Sequence, residues 1–155
     1  MPAQQQQQGL TRAELTAWRM FLRAHSTVVR ALENELMAEH DLPLASYDVL
    51  VQLSEAPDRR LRMTELADRV LLSRSGLTRL VDRLEREGMI RREACPSDAR
   101  GTLAVLTAAG IARLREAWPT HLRGVEQHVT GRLTPDEIEQ LSSLLGKLVP
   151  DGAPS

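Results

Sequence analysis

Hydrophobic residues recur at alternating steps of three and four positions near the start of the chain. They are Leu15, Trp18, Leu22, His25, Val29, Leu32 and Leu36. An α-helix turns once in about 3.6 residues, so this spacing places them on one helical face. The pattern predicts a long amphipathic helix from Thr11 to His40. Asp41-Leu42-Pro43 ends it, because proline disfavours helix in the residue before it.

The next segment alternates short helices with one extended piece. A second helix is expected from about Ala45 to Glu55, followed by a brief extended piece at Leu61-Arg62-Met63. Thr64 is typical of a helix N-cap, whose hydroxyl accepts a hydrogen bond from a free backbone N–H. A short third helix should follow, and its apolar side consists of Leu66, Ala67 and Val70.

A fourth helix begins at the next predicted N-cap, Ser73. Its apolar residues follow the i, i+3, i+4, i+7 spacing of one helical face: Leu77, Leu80, Val81 and Leu84. Gly88 should end the helix in the left-handed conformation. Two helices joined by Leu71-Leu72-Ser73, the second of them amphipathic, match a helix-turn-helix.

A β-hairpin and two more helices complete the chain. Ile90–Ala94 and Thr102–Leu106 are predicted strands, and the spacer 95–101 contains the proline, Ser-Asp and glycine of a projecting loop. Thr107 should cap a fifth helix through about Val129, kinked or interrupted by Pro119. Thr134 to Glu137 is a capping box with proline first, which predicts a sixth helix ending near Val149.

The predicted fold is mainly α with a small β-hairpin wing (α+β). It is a winged helix-turn-helix with N- and C-terminal dimerisation helices. Residues 11–149 should form one domain, with residues 45–107 as its DNA-binding part and residues 11–40 and 107–149 as dimerisation helices. Residues 1–10, with their glutamine run, and 150–155 are expected to be tails.

Composition narrows the class of protein. A chain of 155 residues with 42% hydrophobic and 3% aromatic residues favours one aliphatic, helical core. The single cysteine, Cys95, excludes an internal disulfide and fits a reducing compartment. No signal peptide or membrane-length apolar stretch is visible, so a cytoplasmic location without membrane contact is expected.

Charge is unevenly distributed along the chain. The net charge is −1, yet residues 59–100 contain eleven arginines against seven acidic residues. Arginine binds phosphate and guanine through two parallel hydrogen bonds, which lysine cannot form. The local surplus favours a nucleic-acid partner, with a solvated charged face as the alternative.

The fourth helix carries the candidate DNA contacts. If its leucines pack inward, Arg74, Ser75, Thr78, Arg79, Asp82 and Arg83 face outward. Such side chains read base edges and phosphates. Arg91 and Arg92 at the base of the hairpin and Arg100 at its tip can reach the adjacent backbone or minor groove, with Asp98 orienting the Arg100 guanidinium.

These motifs resemble the MarR family of bacterial regulators. The resemblance rests on Leu66-Ala67, the run from Ser73 to Gly88, Asp98-x-Arg100 and Leu106-Thr107. It implies a triangular dimer with interlocked first, fifth and sixth helices, and repression of nearby genes that a small phenolic or carboxylate compound relieves. By position it assigns Ser73, Arg74, Ser75, Thr78, Arg79 and Arg83 to the major groove or its phosphates. Asp98 and Arg100 become the wing pair, with the arginine in the minor groove.

Apolar stripes on the terminal helices predict a homodimer, with packing inside one subunit as the alternative. The first helix offers Leu15, Leu22, Val29 and Leu36. The last two helices offer Leu122, Val125, Val129, Leu141, Leu144, Leu145 and Leu148. Twofold symmetry would require double-stranded DNA with a near-palindromic operator.

An effector site is a further hypothesis. Trp18, Arg19 and His25 of the first helix and Tyr47 and Asp48 of the second lie where resembling regulators hold ligands. Arginine beside aromatic rings suits an aromatic carboxylate. Since Trp18 and His25 also belong to the apolar stripe, core or dimer packing is the alternative.

Other function classes remain as alternatives. Cys95 near Arg91 and Arg92 would suit a redox-responsive regulator, although an incidental small residue explains it as well. A winged helix serving only as a protein-interaction module would not need the outward arginines. The scattered histidines, including His121 and His128, predict neither an enzyme nor a metal site, and no cofactor is expected.

Overall fold

The computed structural model describes residues 9–70 and 74–151. Its helices and strands are α1 (Arg12–His40), α2 (Leu44–Glu55), β1 (Arg60–Arg62), α3 (Met63–Val70), α4 (Arg74–Arg86), β2 (Ile90–Cys95), β3 (Asp98–Leu106), α5 (Ala108–His128) and α6 (Pro135–Gly146). Short 3₁₀ turns cover Pro57–Arg59 and Thr130–Arg132. The predicted cap Ser73, the turn containing it and most of both predicted tails lie outside the described residues. The mainly helical fold with a small antiparallel sheet is as predicted.

Threonine caps begin three of the helices. Thr11 and Thr134 each form a capping box with the glutamate three residues later, Glu14 and Glu137. At the start of α5, the Thr107 hydroxyl accepts a hydrogen bond of 3.1 Å from the Gly110 N–H. The predicted capping box at Thr134 and the cap at Thr107 are therefore confirmed.

Three predicted boundaries are wrong. Thr64 does not cap α3, because the helix begins at Met63 directly after β1 and includes Thr64 in its first turn. Pro119 does not interrupt α5, which continues to His128 with Ala117, Thr120 and Gly124 buried on its inner side. The last helix ends at Gly146 rather than near Val149. Leu148 and Val149 are 68% and 52% exposed. They therefore lack the packing within the chain that would stabilise a longer helix.

The sheet has three antiparallel strands in the order β1-β3-β2. The expected extended piece thus joins the hairpin, pairing Leu61 with Ala104. Both hairpin strands are longer than predicted. They reach Cys95 and start again at Asp98, so the turn at the tip is short and the predicted loop 95–101 is wrong.

The core lies between the helices and one face of this sheet. It includes Leu36, Tyr47, Leu50, Leu66, Leu77, Val81, Leu84, Ile90 and Leu106. Gly88 ends α4 with a φ of +78°, a conformation that glycine adopts without strain, so the predicted C-terminal glycine is confirmed. Since Met89 and Ile90 are buried directly after it, the turn carries the chain from α4 into the wing.

A polar seam joins α1 to α5. The Thr120 hydroxyl lies 2.7 Å from His40 Nε2 and donates to Glu39 Oε2 at 2.8 Å. Arg123 donates to the other Glu39 oxygen at 2.6 Å. The two helices approach closely, since a Cβ on Gly124 would lie 2.7 Å from Leu32 Cδ2. The seam fixes the long helix α1 against the rest of the domain.

Candidate nucleic-acid interface

Helix α4 separates a buried apolar side from an exposed polar side. Leu77, Val81 and Leu84 are at most 1% exposed, and Leu80 is half-buried. Four of the predicted DNA contacts have described side chains in α4, and all four are exposed: Ser75, Thr78, Arg79 and Arg83. Arg74 begins the helix, but its side chain lies outside the described part of the structure, as does Ser73. The apolar spacing therefore leaves a row of hydroxyl and guanidinium groups on the surface.

Arginines pair with acidic residues in α4 and directly after it. Arg83 forms an ion pair with Glu87 at 3.1 Å, one turn further along the chain. Asp82 lies half-buried, 2.6 Å from Arg92 of the wing. These pairs offset negative charge that would otherwise repel a phosphate backbone.

A bulge in β3 shapes the tip of the wing. Ala94 pairs with Thr102 while Cys95 pairs with Asp98, so residues 99–101 have no partner positions on β2. The Asp98 carboxylate accepts a hydrogen bond of 3.0 Å from the backbone N–H of Arg100. This bond holds the backbone of Arg100, and the orientation of its guanidinium by Asp98 stays a prediction. Arg100 itself is exposed on the bulge.

A cleft of about 550 Å³ separates the wing from α4 and the start of α3. Thr78 and Asp82 line its helical side, and Arg100 and Gly101 line its wing side. Arg62 and Arg92 also line it, so three guanidinium groups border one space. Asp82 and Asp98 line it too, so three guanidinium groups face two carboxylates across the cleft.

Both arginines at the base of the hairpin form ion pairs within the chain. Arg91 pairs with Glu93 at 2.9 Å, and Arg60 of β1 reaches the same carboxylate at 3.1 Å. Arg92 pairs with Asp82 of α4 at 2.6 Å. The Arg91 side chain is still 55% exposed, so its contact with a DNA backbone stays a prediction.

Cys95 ends strand β2 of the wing and is buried together with Leu103 and Val105 of β3. Hydrogen bonds from Ser97, and then the positive charge of Arg62, lower the pKa of the thiol. The predicted neighbours Arg91 and Arg92 are not among the causes of that shift. Because only 6% of Cys95 is exposed, oxidants have little access to the sulfur.

The five predicted effector residues fall into separate places within one chain. Trp18 and His25 line an apolar cavity of about 760 Å³ between α1 and α6, while Arg19 lines a smaller one on α1. Tyr47 is buried against His121, with ring centroids 4.4 Å apart. Asp48 is exposed near the start of α2. Crowding by protein atoms and then the nearby Glu33 carboxylate raise its pKa to about 6.

Metal-binding clusters and membrane-spanning helices are both absent from the described residues. In ranges 9–70 and 74–151, no three histidine, cysteine or acidic side chains are grouped so that they could hold a metal ion. Within the same ranges, no helix combines the length and the apolar character needed to cross a bilayer.

Known proteins share this arrangement. A family model described as "MarR family" matches residues 40–101. The Multiple antibiotic resistance protein MarR of Escherichia coli is 32% identical over 119 residues, 77% of this chain and 81% of that protein. Sco3205, a MarR family transcriptional regulator from Streptomyces coelicolor solved in complex with DNA, has a TM-score of 0.86 and 40% identity, covering 94% of this chain and 93% of that one. AbsC, from the same organism, has a TM-score of 0.84 and 35% identity over 90% and 94% of the two chains.

Proposed function

Because this chain belongs to the MarR family of transcriptional regulators, we propose that it is a homodimeric repressor of nearby genes. It binds a near-palindromic operator and is released by a small aromatic or carboxylate ligand. Helix α4 enters the major groove, where Arg79 and Thr78 contact base edges or phosphates. Arg100 of the wing reaches the adjacent minor groove.

The exposed polar side of α4 carries this proposal. Its apolar residues are buried, so the helix is held rigidly while its guanidinium and hydroxyl groups face outward. The cleft beside it is bordered by Arg62 and Arg100. Sco3205, which shares this fold at 40% identity, was solved in complex with DNA, which supports DNA binding by this chain.

A gel-shift titration on the DNA upstream of the protein's own gene tests DNA binding. Arg79→Ala should weaken binding to this DNA because it removes a contact of α4. Arg115→Ala, an exposed arginine of α5, serves as the matched control and should leave affinity unchanged. Equal affinity of the protein for upstream and unrelated duplexes at physiological salt would contradict sequence-specific regulation.

Dimerisation is supported by apolar surface that the chain leaves uncovered. Trp18 and Phe21 of α1 are 53% and 42% exposed, and Leu144 of α6 is 59% exposed. They line the same cavity of about 760 Å³, whose twelve lining residues are nearly all apolar. A second copy of the chain would remove this surface from water, as in a twofold dimer.

The effector proposal rests on residue chemistry. Ser46 Oγ, Tyr47 Oη and His121 Nδ1 are buried and have no hydrogen-bond partner among the described residues. A phenolic acid offers the hydroxyl and carboxylate groups that such atoms bind, and Arg19 supplies a positive charge. Because Arg19 and Tyr47 do not share a cavity within one chain, we infer that the site would need both subunits.

Calorimetry with a panel of phenolic acids tests this site. The wild-type protein should bind at least one of them and release its operator, while Arg19→Ala binds more weakly because it lacks the counter-charge. Equal binding by Arg19→Ala would remove this residue from the site. Binding without any loss of DNA affinity would contradict the release mechanism.

A further inference from the structure

We propose that Arg92 positions the wing relative to helix α4, so that α4 and Arg100 act as one DNA-reading unit. The inference rests on the proposed function, because it concerns how that same surface is held in shape. Its basis is a set of contacts between β2 and α4.

Arg92 contacts three residues on one face of α4. Its guanidinium lies 2.6 Å from Asp82 Oδ1 and 3.4 Å from Glu85 Oε1. It also donates to the Thr78 carbonyl oxygen at 3.4 Å, and its backbone N–H donates to Glu85 Oε2 at 3.0 Å. Thr78, Asp82 and Glu85 follow the i, i+4, i+7 spacing of one helical face, so a single side chain spans two turns of the helix.

The geometry favours a positioning role over direct DNA contact. The Arg92 side chain is 27% exposed, compared with 55% for Arg91, its neighbour in β2. Several hydrogen bonds from one planar guanidinium fix both distance and angle, which a lysine could not do. A group that already binds two carboxylates and a carbonyl has few donors left for phosphate.

The ion pair between Arg92 and Asp82 lies in the cleft between α4 and the wing. Asp82 and Arg92 both line the cleft, whose opposite sides carry Thr78 on α4 and Arg100 on the wing. The ion pair therefore sets the width of the cleft. Arg92 also offsets part of the negative charge that Asp82 and Glu85 would otherwise present beside the DNA-facing side of α4.

The first test measures the distance between helix and wing without DNA. Spin labels at Arg86→Cys and Ala99→Cys, in a Cys95→Ser background, report that distance by pulsed electron resonance. Arg92→Met should broaden or shift the distribution, whereas Arg91→Met, which removes only a pairing with Glu93, should leave it unchanged. An unchanged distribution in Arg92→Met would overturn the proposal whether or not the protein binds DNA.

The second test is a double-mutant cycle on operator DNA. If Arg92 acts through Arg100, Arg92→Met should weaken binding at least about fivefold more in the wild-type background than in Arg100→Ala. In the Arg100→Ala background, Arg92→Met should not lower the salt slope further, because Arg92 itself makes no phosphate contact. Independent, additive effects of the two substitutions, or a further fall of the salt slope in the double variant, would show a direct contact instead.

Two further variants separate geometry from charge and from folding. Arg92→Lys keeps the charge but cannot make the same set of bonds, so it should behave like Arg92→Met. Full recovery by lysine would reduce the role to charge balance and overturn the positioning proposal. If Arg92→Met fails to fold, Asp82→Asn with Glu85→Gln weakens the same link from the α4 side and should broaden the same distance distribution.

Discussion

Arg100 presents its charge on a bulge whose backbone is held by Asp98. At the scale of single residues, Arg100→Ala should weaken binding by a similar factor on every duplex, because a phosphate or minor-groove contact is lost. The slope of log affinity against log salt should fall by about 0.9, the release of one counterion. Fluorescence titrations at several salt concentrations measure it, with Arg115→Ala as control. An unchanged slope would contradict the role of Arg100.

The carboxylate of Glu39 should make the stability of the protein depend on pH. Hydrogen bonds from Thr120 and then Arg123 lower its pKa from the ordinary value of 4.5. A carboxyl whose pKa is lowered by folding stabilises the native state above its unfolded pKa, and that stability is lost as pH falls through the folded value. Glu39→Gln should therefore lower the Tm most above about pH 5, with a smaller difference in acid. Thermal unfolding between neutral and acidic pH checks this; a difference independent of pH would contradict it.

At the level of secondary-structure elements, the close packing of α5 against the start of the wing requires a glycine at position 110. A Cβ on Gly110 would lie 2.3 Å from the Met89 carbonyl oxygen, where α5 passes the start of the wing. Gly110→Ala should lower the free energy of unfolding by about 2 kcal/mol, since the clash outweighs the gain in helix propensity. Gly146→Ala is the matched control, because a Cβ there meets nothing within 4 Å. Equal stability of the two variants in urea unfolding would contradict this packing.

The elements most accessible to sequence reasoning were those with local signals. The apolar spacing in α4, the cap at Thr107 and the glycine at position 88 each depend on residues within one or two turns, and the structure has them where predicted. The sequence predicts a loop at the wing tip, whereas residues 98–101 belong to β3 and include a bulge. The partners of Arg92 were missed as well, since pairing between β2 and α4 depends on tertiary packing that no local pattern reports.

For the whole molecule, the exposed apolar face of α1 and α6 leads us to expect a dimer. Leu144→Asp would place a charge in the cavity that a second copy should fill, so the dimer should dissociate. Light scattering should then give the 17.3 kDa mass of one chain, against twice that for the wild type. Operator affinity should fall at least about a hundredfold, because two linked half-site contacts become separate ones. A wild-type mass of 17.3 kDa would contradict the dimer.

Recognition of a duplex by two symmetry-related copies of α4 and the wing is the central claim. Selection of bound fragments from a pool of random duplexes tests it most directly, because one measurement reports specificity, symmetry and spacing. We expect enrichment of a near-palindromic site whose half-sites are about 10 bp apart. Failure to enrich any sequence, or enrichment of a single unrepeated half-site, would contradict it.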